Sequence, residues 1–427
     1  MSTDTQSGTL SSIVLYTAAP RESAVVVLRV TGPAERAGIR VLSGNQGPNV
    51  SPDLVTEADL VVIQRDFPRF WPDYKQVISE ARYYGKPVLY DLDDLLVEMP
   101  GEHSHAGDYM GELLAMLHAI LNADMVTASS NSLVEYLSEL NPNTRLVKNY
   151  LNDDLWQIKT SRVGDREDRK VLIGYMGGQT HQADLTLVED ILLRICENAE
   201  EEVRLRFWGV QPPPKLMESP FTEWIDINQE EYAAFAEFFS QQDCDIFIAP
   251  LRDNEFNRAK SSLKFLEYSA LGIPGVYSKL PPYEGIIQNG VNGFLAENVD
   301  EWEKNLTKLI DDPILRNEIG AAAQKNVIDD WLLSEKYGEL AEVYQQALSG
   351  SPEQVGQSRE HDNLLRIISL AEDYQADLEN SLYEVGNQLN DILESRSWKS
   401  LKTMQNLRQR IMPKGGTLDR LLFGGEN

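Results

Sequence analysis

Residues 243–278 read DCDIFIAPLRDNEFNRAKSSLKFLEYSALGIPGVYS. The apolar run DIFIAPL has the length and composition of a strand buried on both faces, and it ends at Ala249–Pro250. A polar loop follows, and the spacing predicts a helix from about Ser261 to Leu271, stopped by Gly272 and Pro274. PGVYS is then the next strand. A strand, a crossover helix and a second buried strand form the unit of a parallel sheet, in which ligands bind beyond the carboxyl ends of the strands.

The same alternation extends outward in both directions. Upstream lie the strands KVLIGYMGG and VRLRFWG, with helices over 183–198 and 230–240; downstream, a Gly/Asn turn at NGVNG precedes helices to about Leu348. An earlier series repeats the pattern: Ile13–Tyr16, Ile39–Leu42, ADLVVIQRD, KPVLYDLDD, ADMVTAS and TRLVKNY as strands, with helices over 73–84, 108–121 and from Ser129–Ser132 to Leu140. Residues 18–36 read as helix or loop. The polar, non-periodic segment 151–170 separates the two series as a linker. The expected fold is therefore α/β, with two doubly wound, Rossmann-like domains at 1–150 and 171–348 facing a cleft.

Beyond a second linker at 349–363 the pattern changes. A heptad runs over 364–395, with Leu364, Ala371, Leu378, Val385 and Ile392 at one position and Ile368, Gln375, Leu382 and Leu389 at the other. It fits a coiled coil joining copies of the chain, or an amphipathic helix packed on its own chain. Residues 396–427 carry seven basic against two acidic side chains, with Trp398, Leu401, Met404, Leu407 and Ile411 interleaved. That tail fits an anionic membrane surface, a solvated tail or a helix docked on the acidic body.

The chain has 427 residues and a formal charge of −28, which argues against nucleic acid as a partner. Two cysteines and five scattered histidines exclude a disulfide framework and give no metal site. The first residues, MSTDTQSGTLSS, lack the basic and apolar regions of an export signal, so a cytoplasmic location is expected, at the inner face of the membrane if the tail binds there.

Against that acidic background, Arg252, Arg258, Lys260 and Lys264 crowd the start of the helix near Ser261, opposed by Asp253 and Glu255. Unpaired first-turn amides of Ser261, Ser262 and Leu263 at the positive end of the helix dipole would receive a diphosphate, with Lys260 pairing to it. Glu267, two turns along, is placed to accept hydrogen bonds from ribose hydroxyls. Gly177 and Gly178 after the first strand of this domain allow close backbone approach, with Thr180 capping the next helix and His181 the only possible cation there. Phe207–Trp208–Gly209 borders a nucleotide base or lies in the core.

These residues resemble the nucleotide-sugar signature of GT-B fold glycosyltransferases, most like family four, also called group 1. LEYSALGIPGVYS matches the second Glu and its Gly-x-Pro turn, with Glu267 and Gly272–Ile273–Pro274, and NGVNGFLAEN resembles the following NGxxGxL element. IGYMGGQTHQADL resembles the glycine loop of the donor domain. The slot of the family's first Glu falls on Ala259; a subgroup whose signature reads KSxLKxLEY carries the same change, and Asp253, Asn254 or Asn257 could grip the sugar instead. KPVLYDLDDLL resembles the strand ending in His-Asp, with Asp93 in the His slot, orienting sugar or acceptor, and Asp94 capping or structural. RVTGPAERAG resembles the acceptor loop, with Gly32 permitting close approach, and His105, with His103, lies in a loop that could reach the cleft.

The resemblance implies a metal-independent, retaining hexosyltransferase, with no cofactor beyond its nucleoside-diphosphate sugar and a glycan, lipid-linked or other acceptor. Asp93, Lys260 and Glu267 would be its catalytic side chains. Two alternatives stay open: a nucleotide-sugar epimerase of the same fold, and a non-catalytic sugar-nucleotide-binding or scaffold partner of an active transferase.

Overall fold

The structure, a computed structural model, describes residues 9–101, 103, 109, 111–158, 170–199, 202–227, 229, 231–350 and 359–411. Two compact units divide the chain, 1–365 and 366–427.

The first unit holds both expected sheets. In the first, strands β1 (Ser12–Thr17), β2 (Arg40–Ser43), β3 (Leu60–Gln64), β4 (Val88–Leu92), β5 (Met125–Ala128) and β6 (Thr144–Leu146) pair in the order β2-β1-β3-β4-β5-β6, every pair parallel. The second has β7 (Val171–Gly177), β8 (Val203–Gly209), β9 (Thr222–Ile225), β10 (Ile246–Ala249), β11 (Gly275–Ser278) and β12 (Phe294–Ala296) in the order β9-β8-β7-β10-β11-β12, again parallel throughout. β1, β3, β4 and β10 are buried along their whole length, which is why they read as largely apolar runs. The edge strands β9 and β12 are only four and three residues long, too short for a period to stand out in the sequence.

Helices cover both faces of each sheet. Trp71, Tyr74, Val77, Met116, Ile120, Leu133 and Leu137 fill one face of the first. On its other face, Val26, Val30 and Ala34 pack with Leu340, Val343, Tyr344 and Ala347. The latter four belong to the helix Leu333–Ser349, which the sequence reading placed at the end of the second domain. The chain thus returns to its first domain after completing the second. Leu151 pairs with this return, its amide donating to Trp331 O and its carbonyl accepting from Leu333 N, both at 2.9 Å. Trp156 is buried in the second domain's core. The start of the expected linker is therefore packed; 159–169 lies outside the described residues.

Helix Arg359–Glu394, which belongs to the C-terminal unit from Arg366 on, contains the heptad and runs unbroken through Gly386, followed by helix Arg396–Ile411. Leu364, Leu378, Leu382, Val385, Leu389 and Ile392 are exposed along the first, and Trp398, Leu401 and Met404 along the second. The remainder of the basic tail, 412–427, lies outside the described residues. No helix among the described residues is long and apolar enough to cross a membrane.

Candidate functional site

A pocket of about 160 Å³ lies between the carboxyl ends of the two sheets. The second domain contributes His181, Lys260, Ser261, Leu263, Lys264 and Glu267, and the first contributes Arg29, Asp93, Asp94 and Asn149.

The helix at its base is Leu263–Ala270, starting two residues later than the sequence predicts, with Ser262 as its N-cap. Ser261 and Ser262 therefore precede the helix, and the Phe265 amide bonds Ser262 O at 2.9 Å. No acceptor among the described residues takes the amides of Ser261, Ser262, Leu263 or Lys264, so four donors stay open at the positive end of the helix. Gly272, with φ of +68°, ends this helix in the left-handed conformation that a Cβ disfavours.

Lys260 crosses the cleft: its ammonium donates to Asp94 Oδ1 at 3.5 Å and lies 4.3 Å from the centroid of the Phe256 ring. Lys264 lies over the ring of Tyr175. Burial pushes its ammonium below the usual lysine range, and Glu267 pulls the other way. Glu267 is buried, and desolvation raises its carboxyl although Lys264 and the Tyr232 hydroxyl oppose that. One oxygen accepts from Tyr232 OH at 3.2 Å, and Tyr232 in turn accepts from Trp156 Nε1 at 2.9 Å. A helical Glu with this chain of partners is fixed in the pocket wall rather than solvated.

Gly177 is pressed against the site, since a Cβ there would meet the Tyr175 hydroxyl at 2.9 Å and the Lys264 ammonium at 3.1 Å. Gly178 faces more open space. Thr180 does not cap the following helix; it lies inside the 3-10 turn Gln179–His181, whose cap has no side-chain bond. His181 also departs from expectation. Burial and the neighbouring Lys264 push its imidazole down to about 4, so it is neutral near pH 7 and supplies no cation. It hydrogen-bonds Asp184 at 3.0 Å. Asp184 accepts from Arg252 N and Asn257 Nδ2 as well, both at 2.9 Å, and so ties the 252–258 loop to the glycine turn. Nothing in the local sequence singles out Asp184; besides His181, its partners are about 70 residues away.

In the first domain, Asp93 and Asp94 follow β4. Asp93 is ion-paired to Arg65, and burial raises its carboxyl, with Arg65 opposing and Asp94 adding to the rise. Asp94 is the reverse case: burial opposes ionisation, but Lys260 and Arg65 together hold its carboxyl below the usual range. Arg65, unremarked in the sequence, sits at φ of +51°. Its amide donates to Asp91 O at 2.9 Å and its carbonyl accepts from Tyr90 OH at 2.5 Å. A left-handed non-glycine residue costs about 1–3 kcal/mol, and here that cost aims a guanidinium at both carboxylates. Below it, buried Arg29 pairs with Asp91 at 2.7 Å and Asn149 at 3.1 Å, and Asn149 Nδ2 donates to Ser261 Oγ across the cleft at 3.0 Å.

Other expected residues fall elsewhere. Gly32 is not in a loop: it lies in the helix Gly32–Arg36, where a Cβ would meet Val27 O, Asn152 and Leu333, and it borders a separate groove with Glu22 and Leu155. His103 packs on Phe256, whereas His105 lies outside the described residues. Trp208 is core, packed on Phe239 and Phe247. Ala259 is buried against the first domain, its carbonyl accepting from Ser130 Oγ at 2.6 Å. Of the proposed substitutes for the missing Glu, Asn257 is taken by Asp184, Asp253 by Arg258, and Asn254 caps the turn Glu255–Arg258. Among the described residues no group of three or more His, Cys, Asp or Glu is arranged to hold a metal ion.

Residues 170–312 match the family model for glycosyl transferases, group 1. The architecture is the GT-B fold. The resemblance read from Glu267, Gly272–Pro274 and the glycine turn holds. Among solved structures, Anabaena HepE in complex with UDP and glucose is 13% identical, with a TM-score of 0.55 over 78% of this chain and 99% of that one. Sucrose-phosphate synthase from Thermosynechococcus elongatus is 12% identical, with a TM-score of 0.58 over 80% and 100%. A Rickettsia africae glycosyltransferase is also 12% identical, with a TM-score of 0.53 over 81% and 100%. A comparison with curated proteins finds no match. The GT-B body accounts for the part of the chain these structures cover.

Proposed function

We propose that the chain is a retaining, metal-independent glycosyltransferase that takes a nucleoside-diphosphate sugar in this pocket and passes a hexose to a glycan, lipid-linked or other acceptor. The observation that carries the reading is the conjunction at one helix start: open amides at 261–264, the ammonium groups of Lys260 and Lys264, and Glu267 within the same pocket. Amides and ammonium groups fixed where charge builds on a departing diphosphate stabilise the transition state more than the bound substrate. Glu267 holds the ribose, and Asp93, aimed by Arg65, faces the transferred sugar from the opposite wall. The match of residues 170–312 and the UDP complexes of HepE support a nucleotide-sugar donor.

The exposed heptad helix supports self-association, and the exposed Trp398, Leu401 and Met404 beside basic residues support contact with an anionic membrane surface. A second reading, a non-catalytic sugar-nucleotide-binding partner of an active transferase, is favoured by Ala259 alone.

Thermal-shift and calorimetric titrations with UDP-, GDP- and ADP-sugars, in metal-free buffer, test the donor assignment. Binding of one nucleotide class is expected, weakened about tenfold or more by Lys260→Met through loss of a charge-assisted contact. Unchanged affinity in that variant removes the diphosphate assignment. Release of nucleoside diphosphate only when acceptor is supplied separates transfer from the non-catalytic reading.

A further inference from the structure

The segment from Phe256 to Ser261 belongs to the second domain but is held largely by the first. Phe256 and Ala259 are buried in the first domain's apolar cluster. The Ala259 carbonyl accepts from Ser130 Oγ at 2.6 Å, and Ser261 Oγ accepts from Asn149 at 3.0 Å. These contacts fix the backbone on either side of Lys260. The ammonium they place in the cleft lies 3.5 Å from Asp94 Oδ1, with side-chain exposures of 16% for Lys260 and 25% for Asp94. Asp94 has a second, longer partner in Arg65 at 3.9 Å, whereas Arg65 is committed to Asp93. Around the pocket, Arg29, Lys260 and Lys264 face Asp93, Asp94 and Glu267, so positive and negative side chains are equal in number.

A diphosphate carries more negative charge than Asp94 and offers several oxygens to the same ammonium and to the open amides beside it. The ammonium has three N–H groups, but a phosphate brought to it stands at like-charge distance from the Asp94 carboxylate, and in a half-buried cleft that repulsion favours exchange over sharing. We propose that Asp94 is an exchangeable counter-ion for Lys260, displaced by the diphosphate of the donor and regaining the ammonium when the nucleoside diphosphate leaves. The inference rests on the donor-site reading above and gives Asp94 a positioning role in place of the capping or structural one expected from its sequence. Arg65 is what makes the exchange workable, since it keeps a cation near Asp94 after Lys260 has turned away. The device sets a threshold of charge: one phosphate competes with Asp94 less well than two.

The test is calorimetric titration of the full chain with UDP, GDP, ADP and inorganic pyrophosphate, in wild type, Asp94→Asn, Asp94→Ser, Lys260→Met and the double variant Asp94→Asn/Lys260→Met. The expected result is a diphosphate affinity about threefold to tenfold higher in Asp94→Asn, because a competing partner of surface-pair strength has been removed. A residue whose role is only to support the fold would weaken binding when replaced, so tightening is a readout that a structural role does not give. The tightening should vanish in the double variant, where there is no ammonium to contest, and slower release of the nucleoside diphosphate should accompany it. Asp94→Ser serves as the second case if the Asn variant does not fold. Diphosphate binding that is sensitive to Lys260→Met but equal or weaker in both Asp94 variants overturns the counter-ion role while leaving the donor site in place. Absence of diphosphate binding in wild type and in every folded variant overturns both.

Discussion

Burial pushes the imidazoles of His118 and His181 down to about 4, with Lys75 adding to the shift at His118 and Lys264 at His181. His118 pairs with Tyr74 OH at 2.9 Å inside the first domain's core, and His181 pairs with Asp184 beneath the glycine turn. The unfolded chain takes up these protons at an ordinary value near 6.5, the folded protein only near 4. Protons therefore favour unfolding across that window. The stability these sites contribute is complete above about pH 6.5 and is lost as pH falls toward 4. A steep decline in Tm over that interval is expected, and His118→Asn and His181→Asn should each flatten it. An unchanged slope in both variants would show that other groups govern the acid limit. Lys260 shows how position outranks residue type: a lysine beside a helix start is ordinarily solvated, and here both neighbouring residues are anchored on another domain, Ala259 by its carbonyl and Ser261 by its hydroxyl.

The loop after β10 is the element on which the site depends most. Asp184 is buried and collects the imidazole of His181, three residues before it, together with a backbone amide and a side-chain amide from about 70 residues further along the chain. Asp184→Ala should cost about 2–4 kcal/mol in a urea unfolding experiment, since several buried donors lose their acceptor together. The same variant should weaken diphosphate binding by releasing Phe256 and Lys260 from their positions. Asp184→Asn, which keeps the shape but loses the charge, should fall between. A stability loss with unaltered binding would mean that the loop holds its site without Asp184. The glycine turn is constrained from the opposite side, for Gly177 leaves no space for a Cβ between Tyr175 and Lys264.

In the whole molecule, the two sheets are joined twice, once at Leu151 and again where helix Leu333–Ser349 returns to cover the first sheet. That helix supplies Leu340, Val343, Tyr344 and Ala347 to a cluster containing Val26, Val30 and Val62. A chain ending at Asp330 should lose on the order of 5 kcal/mol of apolar burial and unfold its first domain at a lower temperature. A chain ending at Gly350 retains every member of the four core clusters and should keep both its main thermal transition and its diphosphate binding. Equal melting of the two truncations would show that the return helix is dispensable. The difference between them separates the GT-B body from the heptad helix and basic helix that follow.

The alternation of apolar strands and amphipathic helices, legible from Ile13 to Leu348, was enough to give two parallel sheets, because strands buried on both faces have to be apolar throughout and crossover helices have to be amphipathic. Glu267, Lys260 and the glycine turn were also visible, since an anion at a helix start and a closely approached backbone demand particular residue types at short spacing. The tertiary structure alone decided the rest. Asp184, Arg65, Arg29, Asn149 and Tyr232 act through partners tens of residues away, and no local pattern marks such pairs. Gly32 looked like a loop glycine, yet it packs in a helix against Leu333, a residue that only the returning chain brings there. His181 looked like a cation until burial beside Lys264 made it neutral. Composition and periodicity report what each segment must bury; which charges meet across a cleft depends on how the buried surfaces are assembled.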